Sequence, residues 1–238
     1  MERLDKLMAN SGTLSRREVQ KLIKSGAVRV DGVITKDRGF CVDPETVSVT
    51  LNGEEFLLRK YVYIMLNKPE GVVSAARDDS EKTVVDLVPE EYRKKNLFPA
   101  GRLDRNTTGF VLITDDGDFA HRILSPKNHI EKTYEARLAQ KIDEASLKKI
   151  SDGITLGDGT ECLPAKLKIL EDGKNPLIQV KICEGKYHQI KRMFAAAGNA
   201  VIELKRVQMG GLHLDESLEA GECKILSDEE VKKIQTAV

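Results

Sequence analysis

The pattern of apolar residues changes near residue 60, and this change constrains the fold more than any other feature of the chain. Before it, apolar residues fall at helical spacing, whereas beyond it short apolar segments bounded by turns are typical of strands. We therefore predict two domains, residues 1–59 and 60–238, joined without a Gly/Ser-rich or Pro-rich linker. The second is expected to be α+β, with a mainly antiparallel sheet and flanking helices.

The apolar pattern also places the main elements of the second domain. We expect strands at 61–66, 110–114, 133–139, 165–171, 177–183 and 201–207. We expect helices at 85–95, 118–124, 143–152, 187–197 and 227–235. The sequence has no internal repeat, which excludes a repeat architecture.

The first domain is expected to be small and helix-rich. Ser15 and Glu18 have the spacing of a capping box, and Gly26 is placed to end the helix that they begin. The following segment AVRVDGVIT, residues 27–35, alternates around Asp-Gly, which is typical of a hairpin turn. We expect a further strand pair within 46–58.

The chain carries 38 basic and 38 acidic residues, so a strongly basic coat for nucleic acid is excluded. The local charge is uneven, because residues 1–40 contain nine Lys and Arg against five Asp and Glu, a balance of +4. Four of these cations lie largely on the outer faces of the capped helix: Arg16, Arg17, Lys21 and Lys24. They form either an ordinary solvated face or a set of contacts with nucleic-acid phosphates.

Several classes of protein are disfavoured by the sequence. No apolar run approaches the roughly 20 residues that a membrane-spanning helix needs, and the N-terminal segment MERLDKLMAN lacks the layout of a signal peptide. The four cysteines are widely spaced and form no C-x-x-C pair of the kind that binds zinc. We therefore expect a cytoplasmic, monomeric protein with reduced thiols, no bound metal and no membrane association.

Residues 101–109, GRLDRNTTG, form a polar loop with a glycine at each end, which allows sharp turns or the close approach of another backbone. Asp104 lies between Arg102 and Arg105, whose guanidinium groups favour its ionised form. An ionised carboxylate among cations suits a nucleophile and is a poor general acid. A structural Asp–Arg pair on a tight turn accounts for the same residues, so both interpretations stay open here.

Three further segments contain side chains that suit RNA contact or catalysis. In EGKYHQIKRMF, read as a helix, His188, Lys191 and Arg192 share a cationic face, which either binds phosphate or carboxylate or faces solvent. Tyr134 in KTYEARL either stacks on an unpaired base or packs in the core. Lys68 in LNKPEG lies at a turn after an apolar strand, either at the mouth of a site or at a hairpin corner.

In their order along the chain, these segments resemble the motifs of a known enzyme family. NKPEGVVS, GRLDRNTTGFVLITDDG, KTYEARL and EGKYHQIKRMF are similar to the ordered motifs of the RsuA-like RNA pseudouridine synthases. The first fifty or so residues, with RLDK, SRREVQKLI and the G-x-V-x-V-D-G hairpin, resemble the alpha-L RNA-binding domain. That domain is also found in a small-subunit ribosomal protein, and the resemblance favours phosphate contact by the cations of the capped helix.

The resemblance implies roles for individual residues. Asp104 corresponds to the catalytic aspartate, Tyr134 to the tyrosine that packs on the target base, and Lys191 to the basic partner of the aspartate. Many relatives have arginine in place of Lys191, and because lysine lacks bidentate geometry we expect a looser pair with Asp104. Arg102 corresponds to the side chain that fills the gap left by a flipped uridine. Four more residues are expected to contact RNA: Lys68, Arg105, His188 and Arg192.

The implied reaction isomerises a uridine in RNA to pseudouridine, with the base turned out of the RNA and no cofactor. Asp104 would act as a nucleophile or as a base, and the sequence does not choose. The implied partner is ribosomal RNA or a ribosomal assembly intermediate, and residues 112–138 and 206–222 are most similar to enzymes that modify one small-subunit position. The alternatives are a large-subunit synthase, a transfer-RNA synthase and a non-catalytic RNA-binding assembly protein.

Overall fold

The computed structural model describes residues 1–10, 14–44, 46–58, 60–90, 92–93 and 96–236. The chain divides into two compact units, Met1–Tyr63 with Val88–Asn96, and Ile64–Leu87 with Leu97–Val238. The N-terminal unit thus includes a second, later segment of the chain, and the boundary at 59/60 stays a prediction. Within the described residues no helix is both long enough and apolar enough to cross a membrane.

The N-terminal unit consists of two helices and six short strands among its described residues. Their bounds are β1 Glu2–Arg3, α1 Leu4–Ala9, α2 Arg16–Ser25, β2 Val28–Val30, β3 Val33–Ile34, β4 Cys41–Val42, β5 Val49–Leu51 and β6 Glu54–Glu55. Strand β1 pairs with β4, and the others form an antiparallel sheet in the order β3-β2-β5-β6. The expected hairpin and the further strand pair are therefore confirmed.

Short-range signals in the sequence explain where helix α2 and the hairpin begin and end. Ser15 and Glu18 form the expected capping box, and Gly26, with a φ of 82°, ends α2 in the left-handed conformation. The turn between β2 and β3 has Asp31 and Gly32 at φ values of 49° and 79°. Two consecutive left-handed residues match the twist of the flanking strands, which is why Asp-Gly is favoured there.

The core of the N-terminal unit contains one buried carboxylate. The apolar core itself is formed by both helices and the sheet, with Leu4, Leu7, Met8, Val19, Ile23, Val28, Val42 and Val49 among its buried members. Asp5 lies beside them with no exposed surface, and it accepts hydrogen bonds from Arg3, Arg16 and Gln20. Burial opposes its ionisation, but these bonds outweigh burial and hold the pKa of Asp5 well below its usual value.

The C-terminal unit is built on one large sheet. Its elements are β7 Tyr63–Lys68, β8 Phe98–Ala100, β9 Thr108–Thr114, α3 Gly117–Leu124, β10 Lys132–Leu138, α4 Glu144–Asp152, β11 Lys166–Glu171, β12 Leu177–Ile182, α5 Gln189–Ala196, β13 Val201–Met209, β14 Leu212–His213, β15 Cys223–Ile225 and α6 Asp228–Ile234. The described strands follow the order β11-β12-β10-β13-β9-β7-β15, with β14 beside β13 and β8 beside β9. Strands β9 and β13 run parallel, whereas β10 is antiparallel to both β12 and β13. The expected α+β class is confirmed.

The helix expected at 85–95 is wrong. Its described residues form a 3₁₀ helix at Val85–Leu87 and then a turn at Pro89. Pro89 has no backbone N–H, so it cannot donate to the carbonyl of Val85 and an α-helix cannot continue through it. Residues 91 and 94–95 of the expected helix lie outside the described part of the chain.

One face of the sheet brings distant parts of the chain together. Tyr134 of β10 is opposite Val180 of β12 and Arg206 of β13. Cross-strand partners project from the same face, so these three side chains are neighbours there. Arg206 is also paired with Gly109 of β9, which follows directly on the polar loop 101–107. The register therefore places the loop next to the Tyr134 face.

Candidate active site

The polar loop between β8 and β9 is fixed at Leu103. The Leu103 N–H donates to the hydroxyl of Ser74 at 3.0 Å, and the same hydroxyl donates to the Leu103 carbonyl at 2.8 Å. A turn follows, in which the Thr107 N–H donates to the Asp104 carbonyl at 3.0 Å. Leu103 and Thr107 are buried, so Asp104 is displayed between two anchored positions.

Both glycines of the loop are required by its backbone, as expected from the sequence. Gly101 and Gly109 have φ values of 89° and 95°, a region that other residues rarely adopt. A Cβ atom on Gly109 would lie 2.3 Å from the carbonyl oxygen of Arg206 on the adjacent parallel strand. The absence of a side chain at Gly109 thus allows β9 to pair closely with β13, and this pairing keeps the loop that precedes β9 next to the sheet.

The Lys68 side chain is buried beneath the polar loop and binds its backbone, so it does not face an RNA ligand. Its side chain has no exposed surface, and its ammonium group donates to the carbonyls of Pro69, Arg105 and Thr107 at 2.9–3.1 Å. Because all three donors are used inside the protein, a direct RNA contact by Lys68 is wrong. Burial lowers its pKa to about 8, although the charge of Asp104 acts in the opposite direction.

Asp104 has cationic partners, but they are not its neighbours in sequence. Its carboxylate lies 3.6 Å from the ammonium of Lys191 and 3.5 Å from Nε2 of His188. The Lys191 ammonium also donates to Asn106 Oδ1 at 2.6 Å, so lysine divides its donors between two residues of the loop. This long ion pair is the loose pairing expected for lysine in place of arginine.

The two arginines that flank Asp104 have different environments. Arg105 lies 3.2 Å from Glu81 and donates to the Gly71 carbonyl, which directs its guanidinium away from Asp104. Arg102 is exposed and lines the cleft described below. Among the described residues neither arginine forms an ion pair with Asp104, so the structural Asp–Arg pair considered from the sequence is not present there.

Tyr134 is held in place by a buried arginine that sequence reasoning missed. Tyr134 is 8% exposed, and Arg206 is 2% exposed. The Arg206 Nη1 atom lies 3.4 Å from the tyrosine hydroxyl, and its Nε donates to the Phe110 carbonyl at 2.7 Å. The available signal was a charged residue at an inward position of the strand LKRVQM, two residues after buried Leu204.

These groups line one cleft. It has a volume of about 620 Å³, and its walls include Asp104, Tyr134, Lys132, His188 and Arg206. A smaller pocket of about 70 Å³ next to it is lined by Asp104, Tyr134 and apolar side chains of β13 and α5. A cleft with a carboxylate, an aromatic side chain and several cations can accept a flipped nucleotide, which needs a stacking face and compensation for phosphate charge.

The comparison with protein families agrees with this arrangement. The sequence profile described as RNA pseudouridylate synthase matches residues 62–196, and the S4 domain profile matches residues 2–48. The chain belongs to the RsuA-like RNA pseudouridine synthases. The synthase therefore combines an RNA-binding S4 domain with the catalytic domain of an enzyme that acts on RNA, and the resemblance read from the sequence is confirmed.

Full-length relatives support the same assignment. An uncharacterised RNA pseudouridine synthase of Bacillus subtilis (strain 168) is 47% identical over 96% of each chain. The ribosomal small subunit pseudouridine synthase A of Vibrio cholerae is 43% identical over 98% of this chain and 99% of the relative. The ribosomal large subunit pseudouridine synthase B of Bacillus subtilis is 38% identical over 99% of this chain and 96% of the relative.

A solved structure is similar over the same extent. A crystal structure of a pseudouridylate synthase is 40% identical, covers 98% of this chain and 100% of its own, and superposes with a TM-score of 0.68. The synthase thus shares its fold with this relative over nearly the whole of both chains.

The remaining candidate residues of the catalytic domain lie on or beside α5. Arg192 forms an ion pair with Asp158 at 2.5 Å, so a contact with RNA would have to replace that partner. His188 has a left-handed backbone with a φ of 47°, and its ring stacks on exposed Tyr187 at 3.8 Å. This conformation directs the imidazole of His188 into the cleft beside Asp104.

The cations of α2 in the S4 domain fall into two kinds. Arg16 donates to buried Asp5 through Nε and Nη2, at 3.1 and 3.2 Å, so its guanidinium supports the fold. Arg17, Lys21 and Lys24 are exposed, and none of them forms an ion pair with another residue of the described chain. These three side chains can approach RNA phosphates without breaking an existing interaction.

Proposed function

We propose that this synthase converts one uridine of small-subunit ribosomal RNA to pseudouridine in the cytoplasm, on ribosomal RNA or an assembly intermediate. The observation that carries the proposal is the arrangement of Asp104, Lys191 and Tyr134 around one cleft. The small-subunit specificity of the Vibrio cholerae relative, given by its name and its 43% identity, supports the choice of RNA.

In this proposal each residue of the cleft has one task. Asp104 acts at the ribose, either as a nucleophile or as a general base. Lys191 orients the carboxylate, and Tyr134 provides the face on which the flipped uracil stacks. Arg102 enters the gap that the uridine leaves in the RNA, which offsets part of the few kcal/mol needed for flipping.

The reaction needs no external reactant. The N1–C1′ bond of uridine breaks, the uracil rotates within the cleft, and a C5–C1′ bond forms in its place. The C5 proton leaves and N1 gains a proton, so atoms and electrons balance within the nucleotide. The residues that line the cleft supply a carboxylate and a phenol for proton transfer, which is the chemistry that these steps require.

A large-subunit target is the second candidate. It is favoured by the Bacillus subtilis large-subunit relative, which is 38% identical over nearly the whole of both chains. The two candidates use the same cleft and differ only in the RNA that the enzyme selects.

The decisive experiment maps pseudouridines in ribosomal RNA from cells with and without the gene. We expect one position of small-subunit RNA to lose pseudouridine in the deletion strain and to regain it with the wild-type gene. Loss confined to large-subunit RNA would establish the second candidate, and loss confined to transfer RNA would overturn both. A deletion strain carrying Asp104→Asn is the matched control and should not regain the modification.

A further inference from the structure

A second buried lysine lies in the wall of the cleft. Lys132 is 4% exposed, and its ammonium group makes one hydrogen bond, to the Cys183 carbonyl at 3.3 Å. In the described part of the chain it forms no ion pair with a carboxylate. The charged group that most affects it is the cation of Arg206, which is itself buried, and burial together with Arg206 lowers the pKa of Lys132 to about 8.

The acidic side chains near Lys132 do not neutralise it. Besides Asp104, the cleft is lined by Glu184 and Asp78. Glu184 pairs with Lys186 at 2.9 Å and also accepts from Gln189, and Asp78 accepts from the N–H groups of the segment that follows it. Two buried cations therefore line the same cleft, and neither forms an ion pair with a carboxylate of the described residues, an arrangement that is unfavourable until an anion binds.

Lys68 and Lys132 are both buried, but only Lys132 has donors left for a ligand. Lys68 is also buried, but three backbone carbonyls satisfy its ammonium group. Lys132 has one long bond and two remaining donors, and it lines the cleft. It projects from the same face of β10 as Tyr134, two residues away, so a group bound there would be next to a base on Tyr134.

We propose that Lys132 and Arg206 form a phosphate subsite, which binds an RNA phosphodiester adjacent to the uridine that stacks on Tyr134. The proposal rests on the proposed function, because it takes the cleft to hold a flipped nucleotide. The phosphodiester supplies the anion that the two buried cations lack. Its binding fixes the backbone beside the flipped nucleotide, and so aligns the ribose with Asp104.

The test compares Lys132→Met with Lys168→Met in the full-length enzyme. Lys168 is exposed and, through its register with Gln179 and Glu135, lies on the opposite face of the same sheet. Binding of RNA from the deletion strain is measured as a function of salt. Lys132→Met should bind roughly five- to eightfold more weakly at 0.1 M salt, with a slope of log K against log salt that is smaller by about 0.7–0.9. Lys168→Met should match the wild type, and an unchanged slope for Lys132→Met would overturn the subsite.

Thermal unfolding distinguishes a subsite from a structural role. Lys132→Met should unfold at or above the wild-type temperature, because methionine removes an unmatched buried charge and retains the side-chain volume. A marked loss of stability would show that the ammonium group supports the fold, and the proposal would then be wrong. As a second measurement, NMR of the Lys132 ε-amine should show its pKa rising when RNA is added, whereas no rise would count against phosphate contact.

Failure of the subsite can be told apart from failure of the proposed function. RNA tritiated at C5 of uridine, taken from the deletion strain, contains the true target whichever RNA class it belongs to. If the wild-type enzyme modifies only large-subunit RNA, the small-subunit proposal fails while the Lys132 comparison still stands. If the wild type is active and Lys132→Met binds this RNA with the wild-type affinity and salt slope, only the subsite fails.

Discussion

Helix α2 of the S4 domain and the surroundings of Asp104 use positive charge in different ways. On α2, Arg17, Lys21 and Lys24 extend into solvent, and only Arg16 is fixed by a carboxylate. Around Asp104, the ammonium group of Lys68 donates to three carbonyls, and that of Lys191 contacts both Asp104 and Asn106.

This difference suits the two regions to different tasks, RNA affinity on α2 and chemistry around Asp104. Exposed cations attract any phosphate backbone, and removing one of them weakens RNA binding by a limited factor, because each contributes an additive, salt-dependent contact. Fixed cations cannot move towards RNA, but they hold the loop and its carboxylate in one position, which is the preorganisation that catalysis by Asp104 would need. If so, either region can be altered without affecting the other.

The largest effect is expected from Asp104→Asn. Removing the carboxylate should lower tritium release from C5-labelled uridine by at least about 100-fold, because the reacting group itself is lost. RNA affinity should not fall, since the substitution leaves the cations of α2 intact. The exposed Asp158, which pairs with Arg192 on α5, gives the matched control Asp158→Asn, and activity in that variant should stay near the wild-type value. Tritium release at the wild-type rate from Asp104→Asn would show that Asp104 does not take part in the reaction.

The next largest effect is expected from Lys68→Met. Three buried carbonyls would lose their donor, so the free energy of unfolding should fall by about 3 kcal/mol, and activity should fall as the loop loosens. Chemical denaturation measures the first effect and tritium release the second. Lys132→Met is the natural comparison, because it removes a buried ammonium that has one long hydrogen bond instead of three. Equal losses of stability in both variants would contradict the distinction between the two lysines.

A smaller effect, on affinity alone, is expected from α2. Neutralising Arg17 and Lys21 to Gln should weaken RNA binding roughly 30-fold at 0.1 M salt and reduce the salt slope by about 1.5. The rate at saturating RNA should be unchanged. Arg16→Gln should instead lower stability, because buried Asp5 would lose a charged partner. An unchanged salt slope in the double variant would mean that this face is only solvated.

These contrasts were only partly predictable from the sequence. The capped helix, the hairpin, the glycines of the loop and the positions of Asp104 and Tyr134 follow from local patterns and ordered motifs. The burial of Lys68 does not, since its acceptors at 105 and 107 lie far along the chain and are brought near only by the fold. Arg206 was missed for the same reason, because its partners Tyr134 and Phe110 come from two other strands.

Sequence adjacency was also a poor guide to charge pairing at the loop. Arg102 and Arg105 flank Asp104 in the chain, yet its cationic partners come from α5 and the residue before it, about 85 residues later. In a tight turn successive side chains point in different directions, so Arg105 pairs with Glu81 instead. Local sequence thus identified Asp104 as the candidate reactive residue but not the charged groups that lie beside its carboxylate.

The smallest effect is a pH dependence of stability through Lys68. Burial lowers the pKa of Lys68 from its usual 10.5 to about 8 in the folded protein, and the charge of Lys191 acts in the same direction. The charges of Asp104 and Glu70 oppose this shift without cancelling it. Between these values the unfolded chain binds more protons than the folded one, so this group makes stability rise with pH. The difference in unfolding free energy between wild type and Lys68→Met should therefore increase by about 1 kcal/mol from pH 8 to pH 9. Arg17→Gln, which alters an exposed cation of α2, should show no such trend. If the difference in unfolding free energy between wild type and Lys68→Met does not change with pH, Lys68 is not a buried charge beneath the loop.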